Sequence, residues 1–217
     1  MTIRHHPDDA TLMSFAAGAL PQAFAIVVAT HLRMCPRCRN SLATLELVGA
    51  ALIDTLPPRP MQQRPPARDA QHVTTDGDAL LREAVRNGHT HLPWPLGELV
   101  GSRLDDVRWR PVAQGLWQHD IALPGSASGR LRLLKAAPGR AIPEHGHRGL
   151  EMTLVLEGAY RDETGDFRIG DVADLDEGVE HTPLADREAG CVCVLANEMP
   201  PRFKGLLLRM AQPFLKI

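Results

Sequence analysis

Two groups of residues in this 217-residue sequence have the types and spacing to hold a metal ion. In the C-terminal half, His145, His147 and Glu151 fall two and then four residues apart, and His181 follows the turn at Asp176 to Val179. Even separations put side chains on one face of a β-strand, so a single strand there would aim all three of the first group into one barrel mouth. Three imidazoles and one carboxylate suit borderline divalent cations such as zinc, manganese, iron or nickel, and they leave coordination positions open for water or another ligand. Near the N-terminus, His31, Cys35 and Cys38 form H-x3-C-x2-C. Pro36 disfavours helical geometry at Cys35. A break there hangs His31 from the end of one helix and opens the next with Cys35 and Cys38, where backbone N–H groups favour thiolate. Tetrahedral zinc needs a fourth ligand, for which His6 is preferred although no spacing rule excludes His5. A redox C-x-x-C normally follows a strand in a βαβ setting, whereas the surroundings here are helical, which favours structural zinc. A second pair, Cys191 and Cys193, lies two apart in a predicted strand with both thiols on one side. They are either small core side chains or, if they face the metal cavity, candidates for oxidation.

These residues need elements to position them. Residues 8–55 are predicted helical, in three pieces: Thr11 to Leu20 closed by Pro21, Gln22 to Arg33, and a helix starting at Pro36. Along the third, Leu42, Leu45, Leu47, Val48, Ala51 and Leu52 recur three or four apart, which makes one face apolar and in need of a partner. Phe15, Leu20, Phe24, Ile26 and Val27 carry more apolar surface than a zinc cluster could cover, to be buried in the unit's own core or against a partner helix. Prolines cluster from Leu56 to about residue 76 and predict an extended linker. A short helix is expected at Asp78 to Arg86, capped by Asp76 or Asp78 and ended by Asn87-Gly88. Beyond it, Val107 to Val112, Leu131 to Leu134, Met152 to Leu156, Phe167 to Ile169 and Cys191 to Leu195 are short β-branched and apolar runs punctuated by Gly, Pro and Asp. Closely spaced short strands indicate a sandwich or barrel. The expected architecture is therefore multidomain, α plus all-β. A zinc-binding helical bundle with its linker would occupy residues 1–90, and a β-barrel residues 91–217.

Composition narrows the function. Lys and Arg number 24 against 26 Asp and Glu, so no global field draws the chain onto nucleic acid or an anionic membrane. The linker's basic residues lie among prolines rather than along a helix face, which argues against direct nucleic-acid contact. No apolar run approaches a membrane span and no signal-peptide pattern opens the chain, so a cytoplasmic protein is expected.

The C-terminal motif resembles the cupin family's first signature at every defined position: Gly139, five residues, His145-Gly146-His147, three residues, Glu151, six residues, Gly158. Gly170, five residues, Asp176, Glu177, Gly178, two residues and His181 resemble the second, with Asp176 where the family has proline and Ala185 where it has asparagine. The single tight turn at Thr164-Gly165 between the motifs makes a compact double-stranded β-helix. Together with His6, His31-x3-Cys35-x2-Cys38 and the Pro-rich linker, the chain resembles the ChrR-type anti-sigma factors. Segments such as Val28 to His31, Asp105 to Arg110, Glu144 to Glu151 and Leu154 to Leu156 share in that resemblance. It implies a regulator, not an enzyme, whose zinc unit holds an extracytoplasmic-function sigma factor away from RNA polymerase. Its cupin would sense singlet oxygen or a related oxidant and trigger release. The alternative is a metal-dependent cupin enzyme, a dioxygenase or isomerase, since an open site of this kind supports Lewis-acid or O2 chemistry.

Overall fold

The computed structural model describes residues 2–59, 92–123 and 129–204. The predicted helix at residues 78–86, the linker beyond residue 59 and the boundary near residue 90 lie outside them. Three helices open the chain: α1 (Asp9–Ala16), α2 (Gln22–Met34) and α3 (Pro36–Asp54). Asp8 caps α1 by accepting from the Thr11 amide. The break before Pro36 is present: Cys35 is extended, at φ −113° and ψ 103°, and serves as C-cap of α2 and N-cap of α3.

After a one-turn helix at Leu96–Val100, the described residues form eleven strands. They are β1 (Arg110–Ala113), β2 (Leu116–Ile121), β3 (Arg130–Ala136), β4 (His145–Gly146), β5 (Glu151–Asp162), β6 (Gly165–Arg168), β7 (Val172–Leu175), β8 (Glu180–His181), β9 (Leu184–Ala185), β10 (Cys191–Asn197) and β11 (Arg202–Phe203). Eight make one antiparallel sheet, ordered β1-β2-β3-β10-β5-β6 with β7 and β9 also paired to β5. The other three make a small sheet, β11-β4-β8. The expected barrel is thus built, among the described residues, as two antiparallel sheets whose inner faces enclose one cavity.

All seven residues of β10 are buried, although strands that face water on one side alternate. Cys191, Cys193 and Leu195 line the cavity. Val192, Val194 and Ala196 point the other way and join one apolar cluster with Phe24, Val27 and Val28 of α2 and with Leu131, Leu133, Met152 and Leu154 of the neighbouring strands. The helices therefore share their core with the outer face of the large sheet. Of the destinations expected for the face bearing Phe24, Ile26 and Val27, burial in a core is the one seen, but that core is shared: the three lie with Leu12 and Leu32 of the helices and with the outer face of the sheet. Each fully buried side chain of this kind contributes about 1.5–3 kcal/mol. Phe15 and Leu20 pack partly buried at its edge. Among the described residues, half of the large exposed apolar side chains lie on α3 and just beyond it, where Leu47, Val48, Leu52, Ile53 and Leu56 are 55–71% exposed; Met13, Trp94, Leu99, Leu150 and Met199 are scattered elsewhere.

Two motif glycines are required by close approach. A Cβ on Gly158 (φ +67°) would lie 2.1 Å from the Gly190 carbonyl oxygen, and one on Gly170 (φ +88°) would lie 2.7 Å from the Ile3 side chain. Gly170 is thus where the N-terminal segment seats on the β domain.

Candidate metal centres

In the N-terminal cluster, one ligand-type atom from each of His6, His31, Cys35 and Cys38 lies within 4.8 Å of every other. His31, at the end of α2, is fully buried, with Nε2 3.2 Å from Cys38 Sγ. His6 Nδ1 stands 3.3 Å from Cys38 Sγ and 3.5 Å from Cys35 Sγ. His5 turns elsewhere: its Nδ1 faces Asp171 at 3.5 Å and its ring packs on Phe167. The structure thus groups His6 with the thiols, and His5 with the β domain.

The donor chemistry of this cluster fits a metal ion. The Gly170 carbonyl lies 2.9 Å from His31 Nδ1 and can only accept, so Nδ1 carries the proton and Nε2 presents its lone pair to the cluster. Burial pushes the His31 pKa down to about 4, more than the Gly170 carbonyl raises it, so the imidazole stays neutral. Burial and the neighbouring Cys35 push the Cys38 thiol up to about 12. Two close thiols in a buried pocket give up their protons readily only to a cation.

In the β domain, His145, His147, Glu151 and His181 also present ligand atoms within 4.8 Å of one another, all four buried. The single strand expected to carry the first three is divided. His145 is in β4, His147 follows it, and the chain turns through Gly149 (φ +92°) before Glu151 opens β5. The cluster is assembled across the two sheets: β4 pairs with β8, setting His145 opposite His181, and β5 supplies Glu151 from the large sheet.

His145 Nδ1 donates to the Pro143 carbonyl at 2.9 Å, and His181 Nδ1 lies 2.7 Å from the Asp162 carboxylate. Both rings therefore turn Nε2 inward, where His181 Nε2 is 3.1 Å from the Nε2 atoms of both His145 and His147. Two lone pairs facing at that distance repel unless a proton or metal cation lies between them, so the arrangement suits a cation. Burial holds the His145 pKa down at about 4. Burial works to raise Glu151, but its bond to His147 (3.1 Å) and the surrounding imidazoles outweigh it, and the carboxyl pKa is lowered. Asp162 is lowered against the same opposition from burial, by its bonds to His181 and Thr164.

Sequence reasoning missed the groups that orient these ligands: Asp162, the carbonyls of Pro143 and Gly170, and Asp171, which accepts from the amides of Arg4, His5 and Arg168. Asp162 stood in view beside the predicted turn, where it also caps the Thr164 and Gly165 amides. Cys191 and Cys193 are buried and line the cavity that His145, Glu151 and His181 also line. The Cys193 thiol pKa is raised, first by its hydrogen bond with Cys191 and then by burial.

A helical His/Cys cluster seated on a two-sheet β domain with an interior His3Glu cluster defines a helical unit with a candidate metal site, joined to a cupin-type domain. Residues 98–199 match the family described as the ChrR cupin-like domain. The anti-sigma-E factor ChrR of Cereibacter sphaeroides is 42% identical over 217 residues, the whole of both chains. The crystal structure of Rhodobacter sphaeroides SigE in complex with the anti-sigma ChrR matches with TM-score 0.74 and 40% identity, covering 90% of this chain and 100% of that one. The chain belongs to the ChrR family of anti-sigma factors.

Proposed function

We propose that this chain binds and inhibits an extracytoplasmic-function sigma factor through its N-terminal helices, and that the β domain receives an oxidative signal, singlet oxygen or a related oxidant, that triggers release. The observation that carries the reading is the apolar strip on α3, the helix that Cys35 and Cys38 open. Leu47, Val48, Leu52 and Ile53 stand exposed there and Leu56 just beyond it, and clustered exposed apolar side chains of this kind mark a protein-binding face. The relative's structure in complex with SigE supports this partner. Such a protein is a transcriptional regulator rather than an enzyme. It would act in the cytoplasm, where RNA polymerase is, and among the described residues no helix is long and apolar enough to cross a membrane.

Two thiols with two imidazoles favour zinc in the N-terminal site, held by His6, His31, Cys35 and Cys38. His145, His147, Glu151 and His181 would hold zinc, manganese, iron or nickel, which would supply a Lewis-acidic centre in the cavity. Cys191 and Cys193, in the same cavity, are candidates for oxidation during sensing.

The test uses the full chain co-expressed with its sigma factor. A one-to-one complex is expected, with two metal ions per chain by elemental analysis. Cys38→Ala should lose one metal and the complex together. Glu151→Ala with His181→Ala should lose the other metal, keep the complex and blunt its dissociation by singlet oxygen. Full inhibition by zinc-free Cys38→Ala, or an unchanged oxidant response in the double variant, would refute the respective half of the reading.

A further inference from the structure

The cavity between the sheets is about 130 Å³, close to the ~150 Å³ of an engineered apolar cavity that admits benzene. Its wall is largely apolar, with Leu134, Ile142, Leu195 and Phe203 among its residues. Its charged residues are few: Arg132, Arg140 and Glu151, with the imidazoles of His145 and His181. Arg132 sits on β3 in the row that crosses Leu195 of β10 to Thr153 of β5, and all three line the cavity. Only 3% of Arg132 is exposed, and its Nε and Nη1 have no hydrogen-bond partner among the described residues. A guanidinium stays charged and presents five donors, so leaving two of them unmatched in a dry interior is costly. Burial lowers the Arg132 pKa from its ordinary value, and the field of Glu151 works against this, yet that carboxylate is bonded to His147 and forms no ion pair with Arg132 among the described residues. The half-buried Arg140, also lining the cavity, has an unpartnered Nε as well. A buried guanidinium with unmatched donors, in a largely apolar wall whose one carboxylate is already bonded to His147, matches one anionic head on an apolar body.

We propose that the β domain's interior binds a small apolar monocarboxylate, of about the size of hexanoate or benzoate, with its carboxylate on Arg132 and its body against Leu134, Cys193 and Leu195. The site is separate from the α3 face, so failure of this proposal and failure of the sigma-factor reading are distinguishable.

Hexanoate and its neutral counterpart 1-hexanol are titrated into the full chain, purified with its metals, and followed by calorimetry and ligand-observed NMR. Hexanoate should bind roughly tenfold or more tightly than hexanol, the difference a charge-assisted bond makes. Arg132→Met should remove that preference while leaving hexanol binding and the melting temperature no lower, because an apolar isostere replaces an unpaired buried charge. Leu134→Trp, which fills the cavity and keeps Arg132, should lose both ligands. The proposal is overturned if hexanoate does not saturate at millimolar concentration or binds Arg132→Met equally well. It is also overturned if binding vanishes on EDTA treatment while Arg132→Met retains it, since the carboxylate would then sit on the metal. Should Arg132→Met fail to fold, the wild-type preference and its loss in Leu134→Trp decide, and equal affinity for the two ligands refutes the site.

Discussion

The two apolar helix faces in the N-terminal half should respond oppositely to substitution. Phe24, on α2, is 1% exposed and packed on the outer face of the large sheet. Truncating such a side chain removes its transfer free energy and leaves a cavity, so Phe24→Ala should cost about 3–5 kcal/mol. In a chain of this size each kcal/mol lowers the melting temperature by roughly 2–4 °C, giving a drop on the order of 10 °C. Leu52, in the last turn of α3, is 64% exposed. Leu52→Lys leaves no cavity and puts a cation at a helix C-terminus, so stability should change by no more than about 0.5 kcal/mol. Sigma-factor binding should invert the order. Loss of an anchoring side chain at the centre of an interface costs about 2 kcal/mol or more, roughly a thirtyfold weaker Kd. Thermal melts by circular dichroism and sigma-factor titration, run at 20 °C so that Phe24→Ala stays folded, separate the two effects. Phe24→Ala should bind within a few-fold of the parent, and Leu52→Lys should not. An unchanged melting temperature for Phe24→Ala would mean that α2 is not seated on the sheet. Undiminished binding by Leu52→Lys would remove α3 from the partner surface.

The orienting groups supply further tests. Asp162→Asn keeps the shape but weakens the hold on His181 Nδ1–H, and should lower metal affinity of the β-domain cluster roughly 10- to 100-fold in a chelator competition, with no change at the N-terminal cluster. Asp171→Ala removes the acceptor of the Arg4, His5 and Arg168 amides, so the segment bearing His6 should loosen and the N-terminal metal should pass to a chelator faster; identical release rates would contradict this. Acid should destabilise the metal-free chain. His31 and His145 are held near pKa 4 by burial against 6.5 when unfolded, so the unfolded state binds more protons between those values. Stability is then fully present above about pH 6.5 and falls as pH drops toward 4, by up to about 3 kcal/mol for each group. A urea midpoint flat across that window in chelator-treated protein would show that the two rings are not buried neutral.

Residues that must be a particular chemical type were readable in the sequence. His145, His147, Glu151 and His181 stood out by residue type and spacing, and the structure brings the four together; Pro36 placed the break that lets His31 and Cys38 face each other. What could not be read was carried by groups without side-chain identity or by tertiary neighbours. The carbonyls of Pro143 and Gly170 orient His145 and His31, and a carbonyl is present at every residue. An apolar helix face states that it needs cover but not what covers it, so Phe24 and Val27 on α2 and Leu47 and Leu52 on α3 look alike until the sheet is in place. The division of His147 from Glu151 was hidden for a related reason: spacing of two and four fits one strand, and only the positive φ of Gly149 turns the chain between sheets.

The segment from Gly170 to His181 ties the two clusters together. Its first residue gives a carbonyl to His31, its second binds the amides of Arg4 and His5, and the amide of Val172 donates to the His5 carbonyl. The next residues form β7, which pairs with the first residues of β5 and sets Leu175 opposite Glu151. Its last residue is His181 of the second cluster, braced by Asp162. Within twelve residues the chain touches both candidate metal clusters through hydrogen bonds and strand pairing, while α2 covers the back of the sheet that bears Glu151. A displacement of β7 or of Gly170 therefore changes what holds His31 in place. If the β domain receives the proposed signal, the route from its cavity to the helices is short, covalent and hydrogen-bonded, and no distant relay through the exposed α3 face is needed to reach the N-terminal cluster.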